Sequence, residues 1–147
     1  MPSYQQSIFI RRPVSDVYAY MGDISREHEW QPQLLEAEQT PPGPTRVGSR
    51  RRYVTGFMGK RIENTYVVQA IEENRRLVCE TTPDSAVSAA TLLTWEEEGD
   101  GTRVTMAVEG KAGGALRFIP DRLLEGAFAA EVNGALERLK ELLEAGE

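Results

Sequence analysis

The stretch Asn133–Glu144, NGALERLKELLE, is the last third of one long amphipathic helix, and its reading decides the fold. Through it and the residues before it, apolar side chains recur every three or four positions: Leu116, Ile119, Leu123, Leu124, Ala127, Phe128, Val132, Leu136, Leu139, Leu142 and Leu143. That spacing gives a helix one apolar face to bury. Almost everything between residues 34 and 112 reads as strands instead. A single long helix that follows a run of hairpins lays its apolar face on the sheet those hairpins build. If the sheet is strongly curved, the helix cannot fill its whole concave side, and the remaining space can hold a ligand.

With 147 residues the chain is expected to form one domain, 1–147, with a core that needs neither disulfides nor metal. Hydrophobic residues make up 40% and charged residues 27%, the balance of a globular protein in water. A net charge of −6 disfavours non-specific binding to nucleic acid or to anionic membranes, so no nucleic-acid partner is expected. Cys79 is the one cysteine, so no disulfide can form within the chain, which fits a reducing, cytoplasmic setting. The opening MPSYQQSIFI lacks the basic and apolar regions of a secretory signal, and no membrane span is expected.

Ser3 to Ile10 reads as a first strand. Pro13, Ser15 and Asp16 then start a short helix over Val14 to Gly22, and Asp23 and Ser25 cap a second over Ile24 to Trp30, ending before Pro32. The next strands are Leu34 to Gln39, Val47 to Phe57, Lys60 to Glu72, Leu77 to Thr82, Val87 to Glu97 and Thr102 to Gly110. Met58-Gly59 marks a tight hairpin, and Asp100-Gly101 is expected to supply positive φ angles for another. Gly113-Gly114 breaks the last strand. Pro120 is expected to split a short leading turn, Leu116 to Ile119, from the final helix. Strand, two short helices, six antiparallel strands and one long helix make an α+β domain.

In this order, RPVSDVYAYMGDISREHEWQP, VGSRRRY, VVQAIEENRRLV, GDGTRVTMAVE and LERLKELLE resemble the START and birch-pollen-allergen (SRPBCC) superfamily, in particular its polyketide cyclase/dehydrase and lipid-transport-like branch. The resemblance covers nearly the whole chain. It implies the helix-grip fold: a curved seven-stranded antiparallel sheet wrapped around a long C-terminal helix, with two short helices after strand 1. It also implies an apolar cavity between sheet and helix, entered near the short helices and the strand-connecting loops. Function does not follow from that fold, which serves carriers, receptors, enzymes and co-chaperones alike.

The sequence contains no phosphate-cradling, dinucleotide-binding, CxxC or HExxH motif, and with His28 as the sole histidine no multi-histidine metal site is possible; no cofactor is expected. His28, beside the expected entrance, is either an acid/base and head-group ligand or a solvated surface residue. Trp30 either lines the cavity mouth or plugs the core. In Arg50-Arg51-Arg52, alternation sends Arg51 to one face and its neighbours to the other. An inward arginine would clasp an anionic head group, and Arg52 is carried as the candidate. Tyr53 and Tyr66, on adjacent strands, are candidates for orienting a ligand, as are Leu93, Leu124 and Phe128 for its apolar wall. Trp95 and Cys79 read as core, and Glu80 as exposed. Gly126, Ala130 and Gly134, four residues apart, suggest that something needs room beside the helix.

These readings favour a binding protein for a small hydrophobic or aromatic molecule (a lipid, polyketide or similar metabolite), acting as a monomer or homodimer. A cyclase/dehydrase-type enzyme in the same cavity is the alternative, drawing on His28, Arg52, Tyr53, Glu63 and Tyr66. A third reading is an interaction module with a filled core and an exposed apolar patch.

Overall fold

The computed structural model describes residues 2–57, 59–113 and 116–146. Chain order runs β1 (Ser3–Ile10), α1 (Val14–Gly22), a 3-10 turn (Ile24–Arg26), α2 (Glu27–Trp30), β2 (Leu34–Thr40), β3 (Arg50–Phe57), β4 (Lys60–Glu72), β5 (Arg76–Thr81), β6 (Val87–Glu98), β7 (Gly101–Ala112) and α3 (Asp121–Ala145). The strands form one seven-stranded sheet in the order β1-β7-β6-β5-β4-β3-β2. Six consecutive strands meander, and β1 closes the far edge by pairing antiparallel with β7, from Ser3 opposite Glu109 to Ile10 opposite Thr102. Register shifts between Leu34 and Glu36 and between Val68 and Ala70 mark irregularities that increase local twist and bend the sheet. The result is the helix-grip arrangement that the sequence implied.

Local chemistry sets the turns and helix ends. Asp23 starts the second helical segment by accepting from the Ser25 backbone N–H at 3.1 Å. That segment divides into a 3-10 turn and a single α-turn where one short helix was expected. The hairpin between β6 and β7 also differs from expectation. Glu98 pairs with Gly101, so the two loop residues are Gly99 and Asp100, and only Gly99 has a positive φ, +57°. A type II′ turn needs φ > 0 at its first position alone, and a glycine stands there. Met58 and Gly114, parts of two other expected turns, lie outside the described residues. Pro120 does separate a leading turn, closed by Ile119 N–H donating to Leu116 O at 3.0 Å, from α3. Gly110, opposite Ala89 in the ladder, lets the strands approach closely: a Cβ there would strike Ser88 O and the Ala89 backbone.

Helix α3 buries Leu124, Phe128, Val132, Ala135, Leu136, Leu139 and Leu143. Leu123 falls off this face and is half exposed, because it precedes Leu124 by about 100° of helical turn. The helix is fastened along one side, to the strand at the sheet's edge. Tyr4 Oη donates to Asn133 Oδ1 at 3.1 Å, Lys140 Nζ to Phe9 O at 2.6 Å, and Arg12 to Leu143 O at 2.8 Å. Its other side faces β3 and β4 without comparable ties among the described residues. The apolar interior accordingly divides into two clusters. One is built on Ile10, Val17, Trp30, Val68, Trp95, Leu136 and Leu139, the other on Phe57, Ile62, Val87, Leu124 and Phe128.

Candidate functional site

A cavity of about 160 Å³ lies between the two clusters. Its walls come from the concave face of the sheet and from α3. Strand β3 contributes Arg51, Tyr53, Thr55 and Phe57; β4 contributes Ile62, Asn64 and Tyr66; α3 contributes Phe128, Glu131 and Val132. Leu77, Cys79, Ala89, Leu93 and Val108 form the floor, and Glu27, Trp30 and Gln31 of α2 and its end close one side. Phe57 and Glu131 also line an outer groove between α3 and the β3–β4 hairpin, together with Gln33, Gly59, Leu123 and Ala130. The cavity therefore has its rim where α3 is not tied to the sheet.

Two-residue periodicity explains which strand residues point in. Tyr53 and Tyr66, both expected to face a ligand, line the cavity with ring centroids 5.7 Å apart. Adjacent residues of a strand cannot share a face, so an inward Tyr53 brings Arg51 in and turns Arg52 out. The expectation for Arg52 is corrected accordingly. Its guanidinium sits on the outer face, bonded to Glu63 at 2.9 and 3.1 Å and to Glu36 at 3.4 Å. Glu63 leaves the list of candidate acids for the same reason.

Arg51 is 4% exposed and is held from several directions. It donates to Gln39 Oε1 at 2.9 Å, Thr45 Oγ1 at 2.7 Å and Gly22 O at 3.3 Å. Glu27, equally buried, accepts from Tyr53 Oη at 3.0 Å and from Gln31 Nε2 at 2.5 Å, while the nearest Arg51 nitrogen is 3.9 Å away. Burial raises the Glu27 pKa above the usual carboxylate range, and a guanidinium at that distance offsets it only in part. Burial also pushes the Tyr53 hydroxyl well up, with Glu27 adding to it.

Glu131 differs. It forms no hydrogen bond or ion pair among the described residues, and burial alone raises its pKa from 4.5 to about 7. The Tyr66 hydroxyl also lacks a hydrogen bond among the described residues, and burial, then the Glu131 charge, raises its pKa. Asn64 uses its Oδ1 to accept from Val87 N–H at 3.0 Å. Trp30 lines the cavity, and its indole N–H finds no acceptor among the described residues.

Of the other expected ligand residues, Leu93 and Phe128 line the cavity. Leu124 does not; it is buried in the second apolar cluster, one turn of α3 before Phe128. His28 is exposed and outside the lining, because α2 turns Glu27 and Trp30 inward, three residues apart on one face, and His28 between them outward. Gly126 and Ala130 are exposed and Gly134 meets only Pro32 Cγ at 3.9 Å, so this stripe does not shape the cavity. Cys79 is buried in the wall with its thiol pushed up to about 11, mainly by burial. Trp95 packs edge-on to Tyr18 and donates to Met21 Sδ at 3.2 Å, which makes it core against α1. Glu80 is exposed.

Glu27 and Glu131 are the polar groups that sequence reasoning missed, and Arg51 is the inward arginine that it weighed but passed over for Arg52. A signal existed for each. Glu27 precedes the apolar Trp30 by one helical turn, Arg51 shares parity with Tyr53, and Glu131 lies three residues after Phe128 and four before Ala135. Among the described residues, no group of three or more acidic, histidine or cysteine side chains could hold a metal ion, and no helix is long and apolar enough to cross a membrane.

A curved sheet gripping a C-terminal helix around an internal cavity defines a START-like protein. The chain belongs to the polyketide cyclase/dehydrase and lipid transport family, whose model matches residues 1–144. Among solved structures, it is similar to a protein from Thermus thermophilus (20% identity, 99% of each chain, TM-score 0.83) and to a START superfamily protein from Mycobacterium smegmatis (10% identity, 99% of each chain, TM-score 0.81). It also matches the di-domain ARO/CYC BexL of the BE-7585A biosynthetic pathway, over 97% of this chain and 50% of that one, at 18% identity and TM-score 0.77. At these identities the likeness is one of fold. No curated protein matches the sequence.

Proposed function

We propose that the protein binds a small hydrophobic or aromatic molecule in the cavity between the curved sheet and α3. The observation that carries this reading is the wall itself: Phe57, Tyr66, Leu93, Phe128 and Val132 surround about 160 Å³. The wall is mainly apolar, and polar groups such as Glu27, Arg51, Tyr53, Asn64 and Glu131 converge on it, as in small-molecule sites. The volume favours one ring or a short alkyl chain over a long lipid or a polycyclic polyketide, since a dry cavity of about 150 Å³ accommodates benzene. The paired Glu27, Arg51 and Tyr53 shape one end, while Glu131 and Tyr66 keep hydrogen-bonding capacity for a guest.

That last pair also favours a second reading, a cyclase/dehydrase-type enzyme. A carboxyl that titrates near neutrality and a phenol in one apolar space suit proton transfer. Native mass spectrometry of the purified protein, with extraction of what is bound, tests the binding reading together with a thermal-shift screen of one- and two-ring aromatics. A binder present at about 100 times its Kd adds about 2.7 kcal/mol, a rise of several degrees in Tm. Replacing Ala89 in the cavity wall by Phe should abolish that rise. A ligand that stabilises both forms equally sits elsewhere, and that result would refute the reading.

A further inference from the structure

The polar groups around the cavity fall into two sets. Glu27, Arg51 and the Asn64 Oδ1 have partners within the protein. Glu131, the Tyr66 hydroxyl and the Trp30 indole N–H have none among the described residues, and of these three Glu131 alone is acidic. Glu131 also lines both the cavity and the outer groove, so a group bonded to it stays partly hydrated while the rest of a ligand lies inside. We infer that the ligand is a small hydrophobic amine, its apolar part enclosed by Phe57, Tyr66 and Phe128 and its cationic nitrogen paired with the Glu131 carboxylate at the rim. The inference rests on the cavity being a ligand site.

Charge decides between classes of head group. Among the described residues, Arg51 is the one cation in the lining; its Nε and Nη2 are bonded to Gln39, Thr45 and Gly22, and its Nη1 faces Tyr53 Oη and the Glu27 carboxylate. An anionic ligand would bring a second negative charge to Glu131 and find no free cation among those residues. An uncharged ligand would leave the half-buried Glu131 carboxylate without a counter-ion at any pH above the value near 7 where it ionises. A cation supplies the counter-ion, and the ring faces of Tyr66, Phe57 and Phe128 add cation–π attraction. Glu131 titrates near neutrality when empty, and the titratable or charged groups that share its cavity are Tyr66 on β4, Tyr53 and Arg51 on β3, Cys79 on β5 and Glu27 on α2. Tyr66, Tyr53 and Cys79 are all raised, so they stay neutral through the range in which Glu131 ionises.

Three probes with one phenylethyl body test this: phenethylamine, 2-phenylethanol and 3-phenylpropanoate, titrated by NMR against the wild type, Glu131→Gln and Glu137→Gln. Glu137 is an exposed acid on the same helix and controls for net charge. At about pH 8 the wild type should prefer the amine over the alcohol by about tenfold, with the carboxylate weakest. The preference should vanish at about pH 5.5 and in Glu131→Gln, and persist in Glu137→Gln. An alcohol that binds the wild type as tightly as the amine, or an amine preference that survives Glu131→Gln, overturns the inference and leaves cavity binding standing. If none of the three binds, the cavity-binding reading falls and this inference falls with it.

Discussion

Replacing Glu131 by glutamine should make the protein more stable, and by an amount that depends on pH. Folding moves the Glu131 carboxyl from water to a position where burial lifts its pKa from 4.5 to about 7 and no partner among the described residues compensates. A raised acid holds its proton longer in the folded state than in the unfolded one. Between those two values the unfolded chain ionises first, so stability falls as pH rises through that window and the loss is complete just above it. At about 1.36 kcal/mol per pH unit the gap corresponds to about 3 kcal/mol. Glutamine has nearly the shape of the protonated carboxyl and does not titrate. The variant should therefore lie within about 1 kcal/mol of the wild type at about pH 5, and its advantage should grow by about 2 kcal/mol by about pH 8.

Urea denaturation of both proteins at the two pH values measures this. The raised carboxyl of Glu27 gives the wild type a pH slope of the same sign, but it is present in both proteins and cancels in the difference. An advantage that is the same at both pH values would refute the reasoning, because it would mean that folding does not desolvate the Glu131 carboxylate.

Three further outcomes follow from the packing. Arg51→Met should cost about 3–5 kcal/mol, because it leaves Glu27 buried without its cation, whereas Arg52→Met on the solvated outer face should leave the denaturation midpoint nearly unchanged; chemical denaturation separates them. Phe128→Ala should destabilise by about 3–5 kcal/mol and let bulkier aromatics raise the Tm than the wild type accepts, which a thermal-shift series reads directly. Gly110→Ala should lower stability by about 1–3 kcal/mol through its clash with β6, while Gly126→Ala, open to solvent on α3, should raise it by up to about 1 kcal/mol; urea midpoints decide both.

The order of elements was legible because its signals are local. Pro13, Asp23, Gly99 and Pro120 each fix a helix start or a turn through their own backbone preferences, and the three-to-four spacing after Leu124 needs no partner to be read. The strand faces were half legible. Alternation placed Arg51 apart from Arg50 and Arg52, and the same rule applied one residue further would have paired Arg51 with Tyr53. Choosing Arg52 and Tyr53 together set two adjacent residues on one face, which a pleated strand forbids.

Glu27 and Glu131 were harder to read, because acidic residues are almost never buried and composition argues against them. Only a partner-by-partner account makes sense of Glu27, and its partners Tyr53 and Gln31 come from different elements. Glu131 has no partner in the described residues, so its position depends on where α3 lies across the sheet. The long-range bonds of Tyr4, Arg12 and Lys140 set that placement by drawing the helix to the β1 edge. None of those contacts is visible in a sequence period. The same contacts leave the β3–β4 side of α3 untied, which is why the cavity rim falls there and why Glu131, one residue before the buried Val132, stands at its margin. The periodicity thus predicts that α3 has a buried face, while the one-sided fastening of that helix determines which flanking residue meets a guest.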